Sequence, residues 1–340
     1  MPDGHRVNKT LTAVVLAVAP LATALVCLGI GRIGYSPAQI VDGLWSMAVS
    51  GRGSVDPQLY SVLIGLRLPR IILAMLAGAG MALAGCSFQS LFSNVMATPD
   101  TLGVTAGASF GAVLAILLGG GMVTVQLSAL AMGIGAVALT MAVGTRGRSG
   151  STVSMILAGI IVSSMFQAFT SLVKYVADPD SKLPAITYWL MGSLTNASYQ
   201  SLWLGAPFIL AGILVLYMLR WKLNILVLSD DEIRSLGSRL PLLRGVVIAA
   251  STMITASCIS MCGQVGWVGL LVPHFCRLLV GGDHRRLVPA CISLGAVFLL
   301  VIDTVARAAT AAEIPISILT ALIGAPVFLF MMRKAEGLSR

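Results

Sequence analysis

Charge is scarce in this chain. Of 340 residues only 10% are Asp, Glu, Lys or Arg, and there are three histidines. Chemistry by convergent carboxylates or imidazoles therefore has little to draw on. His5, His274 and His284 are scattered, and no Ser/His/Asp or metal-ligand spacing joins them. A G-x-x-x-x-G-K-[ST] phosphate loop is lacking too, which excludes P-loop nucleotide hydrolysis here. Cysteines number six: Cys27, Cys86, Cys258, Cys262, Cys276 and Cys291. Cys258 and Cys262 share a helix face, but an i, i+4 pair without nearby His or acid is a weak zinc signal, so small apolar packing is the expectation. Neither a metal nor a cofactor is expected in the chain.

What is abundant is hydrocarbon. Hydrophobic residues make up 57% and mean hydropathy is +0.94, more than a soluble fold could cover with polar groups. A helix needs about 20 apolar residues to cross ~30 Å of hydrocarbon, and unsatisfied backbone cannot face lipid, so each long apolar run is expected to be helical. The runs fall at 11–31, 62–85, 98–118, 123–144, 151–176, 199–219, 243–262, 265–281, 287–307 and 314–333. The expected fold is an all-α polytopic membrane protein, one transmembrane domain over 1–340 with about ten transmembrane helices. The first run is too long for a signal peptide and lacks an A-x-A-like site, so it is read as a retained span.

Basic residues set the orientation. With the N-terminus inside, Arg6, Lys9, Arg146, Arg148, Arg220, Lys222, Arg234, Arg239, Arg244, Arg285, Arg286, Arg333, Lys334 and Arg340 are cytoplasmic. The other side holds only Arg32, Arg52, Arg67, Arg70, Lys174, Lys182 and Arg307. This asymmetry predicts both termini in the cytoplasm and accounts for most of the +9 net charge without nucleic acid.

One polar stretch interrupts the grease. "LSDDEIRSLG", Leu228 to Gly237, fits a capping box at Ser229 and Glu232, acids in a first turn and a glycine stop. Two turns of helix do not persist unaided, and Ile233, Leu236 and Leu240 offer a stripe for docking. A partner subunit and the chain's own membrane domain are both open as the surface it rests on.

Within the spans, Ser163, Gln167, Thr170, Ser171 and Lys174 recur at helical spacing, and Ser317, Thr320 and Gly324 form a weaker stripe. Polar groups at membrane depth face a cavity or a partner helix, so these helices are candidate walls of a passage, with interhelical hydrogen bonding as the alternative. Gly103, Gly107 and Gly111, Gly78 with Ala82, and Gly80 with Ala84 are expected to let helices approach closely. Arg67 and Arg70, beside a proline that fits a helix start, and Arg307, four residues after Asp303, are placed at the outer side. They suit either a membrane-surface anchor or a receptor for carboxylates on a docking protein.

"LRLPRIILAMLAGAGMALAGCSFQSLFSNVMATPDTLGVTAGASFGA", "GQVGWVGLLVPHFCRLLVGGDHRRLVP", "DTVAR" and "EIPISILTALIGAPVFLFMM" occur in this order. The run resembles the FecCD/BtuC-like permease subunits of iron-siderophore, haem and cobalamin ABC importers, over about residues 60 to 333. The resemblance implies ten membrane helices per copy and a pathway, lined largely by the fifth and tenth helices, between two permease copies forming a homodimer or a related pair. Cytoplasmic coupling helices at about 222–241 would dock on a cytoplasmic ABC ATPase dimer through Asp230, Asp231, Glu232, Arg234 and Gly237, with ATP and Mg on that partner. Arg67, Arg70 and Arg307 would receive an extracytoplasmic substrate-binding protein. Asn94, Met96, Ser151 and Thr152 match positions near the cytoplasmic gate. Where the family has N-P-L-A this chain has Asn94-Val95-Met96-Ala97, and G-P-I/V reads Gly263-Gln264-Val265, so a stiffening proline is missing from each loop.

The function expected is therefore ATP-driven alternating access in the cytoplasmic membrane, without catalysis in this chain, for an iron chelate such as a ferric siderophore, or for haem or cobalamin. A secondary transporter would need intramembrane acids or inverted repeats, and only Asp303 lies plausibly within a span. A structural hydrogen bond is the expectation for His274.

Overall fold

The computed structural model describes residues 9–31, 34–51, 55–144, 152–227, 240–310 and 312–337, and every regular element among them is helical. The helices are α1 Lys9–Gly29, α2 Pro37–Ser50, α3 Pro57–Leu91, α4 Val104–Leu117, α5 Met122–Gly144, α6 Thr152–Val176, α7 Lys182–Leu190, α8 Tyr199–Met218, α9 Leu240–Cys262, α10 Val268–Val280, α11 His284–Ala309 and α12 Ile316–Gly337. Ten of them coincide with the ten expected runs. Six among the described residues are long and apolar enough to cross a membrane: α3, α5, α6, α8, α9 and α11. The apolar stretches of α1, α4, α10 and α12 are shorter; the 14 residues of α4 span about 21 Å at 1.5 Å per residue. The third run begins with a tight turn at Pro99–Leu102 and a left-handed Gly103, φ 83°, rather than with helix. Gly103 is thus the cap of α4, and its expected place on the α4 groove is corrected.

The longest helix, α3, starts earlier than its apolar run. Asp56 caps it, its carboxylate accepting from the Leu59 amide at 3.1 Å, with Pro57 in the first turn. Although the helix as a whole begins earlier, Pro69 is at the start of the regular α-helical segment Leu68–Leu91, as its sequence context predicts. Its missing N–H and its ring disturb the normal ladder, and the chain takes a wide π-type turn at Ser61–Arg67 just before it. Two short helices lie between apolar runs. In α2, Ser36 and Gln39 form a capping box ahead of Pro37, and α7 follows a turn in which Asp178 accepts from the Ser181 amide and hydroxyl.

α3 is the hub. Within its apolar window 83% of residues are buried, against 28% in α6. α11, α9, α10 and α8 surround it, and α4, α5 and α6 form a second group joined to the first mainly by α9. Glycines set the closest crossings. A methyl group on Gly78 would overlap the Gly295 carbonyl of α11, and one on Gly85 would overlap the backbone of Gly269 in α10. Gly107 and Gly111 meet the carbonyls of Met132 and Ser128 on α5 in the same way. These faces serve close packing, as the small-residue spacing predicts. All six cysteines are buried and unpaired by disulfides.

Candidate functional site

At one end of the bundle the three arginines converge, but they do not form an open receptor. Arg67 and Arg307 are 6% and 7% exposed. Arg67 Nη1 donates to the Leu28 carbonyl at 2.5 Å and Arg307 Nη2 to the Cys27 carbonyl at 2.6 Å. Those carbonyls belong to the last turn of α1, where intrahelical donors run out, so the two guanidiniums cap that helix end and complement its dipole. Arg70 grips Asp303, with Nε 3.0 Å from both carboxylate oxygens and Nη2 2.8 Å from Oδ1, while Nη1 reaches Glu313 at 2.9 Å. Glu313 also accepts from the Thr195 hydroxyl at 2.7 Å. In this chain all three find internal partners, and Asp303 takes its ion pair from Arg70 on α3 rather than from its own helix.

Of the proposed passage walls, α6 and α12 behave differently. On α6, Gln167, Ser171 and Lys174 are exposed, and Ser163 and Thr170 are half-buried, Ser163 lying against Gly103. Gln167, mid-helix and directed away from the bundle, calls for a cavity or another chain at membrane depth, whereas Lys174 lies in the last turn, where its side chain reaches the membrane surface. On α12 the stripe turns inward. Thr320 is fully buried with its hydroxyl donated to the Ser317 carbonyl, Ser317 donates to the Met191 carbonyl, and Gly324 lies against the Trp267 ring. Ser317 thus ties α12 to the residue that ends α7, while Thr320 is buried with its hydroxyl bonded within its own helix; what α12 exposes is Ile318, Leu322, Ile323, Leu329 and Phe330. His274 packs edge-on against Phe328, ring centroids 6.0 Å apart.

The opposite end carries the loop after α3. Asn94 and Met96 are exposed, and the Asn94 side chain accepts from the Met96 amide at 2.9 Å, closing an Asx turn where the family proline is missing. At the second missing proline, Gln264 donates to the Ser109 hydroxyl of α4 at 2.8 Å, and the Ser193 amide donates to the Cys262 carbonyl at 2.8 Å. Hydrogen bonds therefore hold both loops in place of the ring. Ser151, Asp230, Asp231, Glu232, Arg234 and Gly237 lie outside the described residues, and of Thr152 only the backbone is described.

The profile of the FecCD transport family matches residues 16–334. The chain belongs to the FecCD transport family. Among relatives of this FecCD chain, the molybdate import system permease MolB of Haemophilus influenzae is 40% identical over 94% of this chain and 95% of its own length. The cobalamin import system permease BtuC of Halobacterium salinarum is 37% identical over 82% of this chain and 76% of its own. A solved structure presented as an inward-facing conformation of a transporter assigned to the metal-chelate ABC type superposes with a TM-score of 0.86 at 37% identity, covering 96% of this chain and all of that one. The FecCD chain is a multi-pass permease subunit of the cytoplasmic membrane.

Sequence reasoning missed a polar junction in this permease. Lys222–Val227 forms a tight helical turn anchored by buried Leu223 and Leu226. Its Asn224 side chain accepts from the His284 backbone amide at 3.0 Å and from His284 Nδ1 at 2.7 Å, and donates to Asp283 at 2.9 Å. The Arg285 amide and the Asn224 side chain hold the Asp283 carboxyl below the usual carboxylate range. His284 Nε2 lies 2.5 Å from the Ser90 hydroxyl near the end of α3. Asp283 before a helical run was readable as a cap; the partner 59 residues away was not.

Proposed function

We propose that this permease carries a metal-containing cargo inward by alternating access, driven by a separate ATPase dimer and fed by an extracytoplasmic binding protein. The observation that carries this reading is the family match over residues 16–334, joined to end-to-end similarity with an inward-facing transporter. The exposed polar face of α6 supports a pathway completed by a second permease copy, and a homodimer is the simplest form of it. Ten membrane crossings with both termini cytoplasmic, ATP and Mg held on the ATPase partner, and coupling through residues 230–237 complete the proposal. Asn94, Met96, Ser151 and Thr152 stand near its cytoplasmic gate. At the outer end, Arg70 is the arginine suited to docking, because a carboxylate from a binding protein can exchange with Glu313, which is 22% exposed.

For the cargo, an iron chelate such as a ferric siderophore is the first reading, supported by the metal-chelate type of the similar structure. Molybdate is the second, favoured by the 40% identity with MolB. A panel of radiolabelled ferric siderophores, haem, cobalamin and molybdate, offered to vesicles holding the assembled transporter and its binding protein, separates them. ATP-dependent accumulation of a ferric siderophore alone is the expected result, and accumulation of molybdate alone would move the assignment to the oxyanion.

A further inference from the structure

We infer that His284 is a positioning residue: it joins the Lys222–Val227 turn to α3 and α11, so that movement of that turn is passed to both helices. The inference rests on the importer reading above. Three observations carry it. His284 is 3% exposed at the first position of α11 and uses both ring nitrogens, one toward Asn224 and one toward Ser90. Asn224 Oδ1 can only accept, so Nδ1 carries a proton, while on the other side Nε2 and the Cys86 carbonyl both lie within reach of the single Ser90 hydroxyl proton. Ser90 is itself 2% exposed and lies 3.0 Å from the Cys86 carbonyl, one turn back along α3.

The turn has few other polar ties to the helices. Ser93 reaches the Leu226 carbonyl at 3.4 Å, and Asn224 also donates to Asp283, the cap of α11. The Asn224 amide thus binds the backbone and ring of one residue and the carboxylate of its neighbour, which fixes the start of α11 relative to the turn. α3 and α11 cross at Gly78 and Gly295 with backbone close against backbone, so the two helices are in direct contact. A displacement of the turn therefore acts on the pair together. The turn ends at Val227, immediately before the stretch for which the family resemblance implies the ATPase contact.

The test uses the assembled transporter in vesicles, with hydrolysis and uptake of a radiolabelled ferric hydroxamate and of radiolabelled molybdate measured side by side. Asn224→Ala removes the joint from its half-buried side and leaves the core untouched; His284→Ala removes it from the buried side. Each is expected to keep ATP hydrolysis near that of the unmodified complex and to lower cargo imported per ATP about tenfold, the scale of one or two hydrogen bonds. The double variant is expected to fall no further than either single one, because both interrupt the same link. Hydrolysis and import falling together with the melting temperature would overturn the inference in favour of a purely structural tie, as would unchanged import per ATP in Asn224→Ala. An unmodified complex that hydrolyses ATP and accumulates no member of the ferric siderophore, haem, cobalamin and molybdate panel in the presence of its binding protein would overturn the importer reading and this joint with it.

Discussion

Gly85→Leu is expected to prevent the native helix array from forming. The backbone of Gly269 occupies the space a Cβ would need, so relief cannot come from rotating a side chain. α3 and α10 would have to part, exposing the seam that holds Cys86 and Cys276, both fully buried. Overpacking a well-filled interior costs about 3 kcal/mol or more when no neighbour can yield. Gly135→Leu is the internal control, since nothing lies within 4 Å of a Cβ at Gly135. The monodisperse fraction after detergent extraction, with the melting temperature of what survives, reads the difference. Collapse of the first variant beside a normal second is the expected pattern. Equal behaviour of the two would mean that α3 and α10 do not meet at this glycine.

Asp303→Ala has the second large effect, by a different route. The Asp303 side chain is 1% exposed and supplies both oxygens to Arg70. Removing it strands a mostly buried guanidinium with only Glu313 on one arm, and breaking a buried pair from one side costs about 3–5 kcal/mol. Glu313→Ala removes the more exposed partner and should cost about 1 kcal/mol or less. Arg70→Met with Asp303→Leu removes both charges and should recover most of the loss, because apolar replacement of a buried pair is often neutral. Thermal unfolding of the variants orders them: Asp303→Ala lowest, the double replacement and Glu313→Ala close to the parent. A melting temperature for Asp303→Ala equal to that of the parent would contradict the network.

These two sites differ in how far the sequence disclosed them. Gly78 with Ala82 and Gly107 with Gly111 were legible as packing faces, Gly85 and Gly269 were not singled out, and ten apolar runs placed ten helices with ends off by up to about six residues. The pairing of Asp303 was not legible. Spacing along the helix points to Arg307, whereas the partner is Arg70, 233 residues away, because a buried carboxylate takes the geometry tertiary structure offers. The α12 stripe was ambiguous for a related reason. Ser, Thr and Gly on one helix face serve a cavity and a close contact equally well, and Trp267 decided for contact by lying against Gly324. The helices α2 and α7 are too short to register as membrane-length apolar runs, although Ser36, Pro37 and Gln39 give α2 a readable start signal. At the other end, Asn224 and His284 carried no local pattern, and only the folded chain brings them together.

The account stands on the chain being a conduit powered by another subunit. The most direct measurement is cargo accumulation in proteoliposomes containing this chain alone, with the ATPase, and with the ATPase plus binding protein, each with and without internal ATP. Accumulation against a gradient only in the complete, ATP-supplied vesicles is the predicted result. Uphill uptake by the chain alone, driven by an ion gradient, would contradict it.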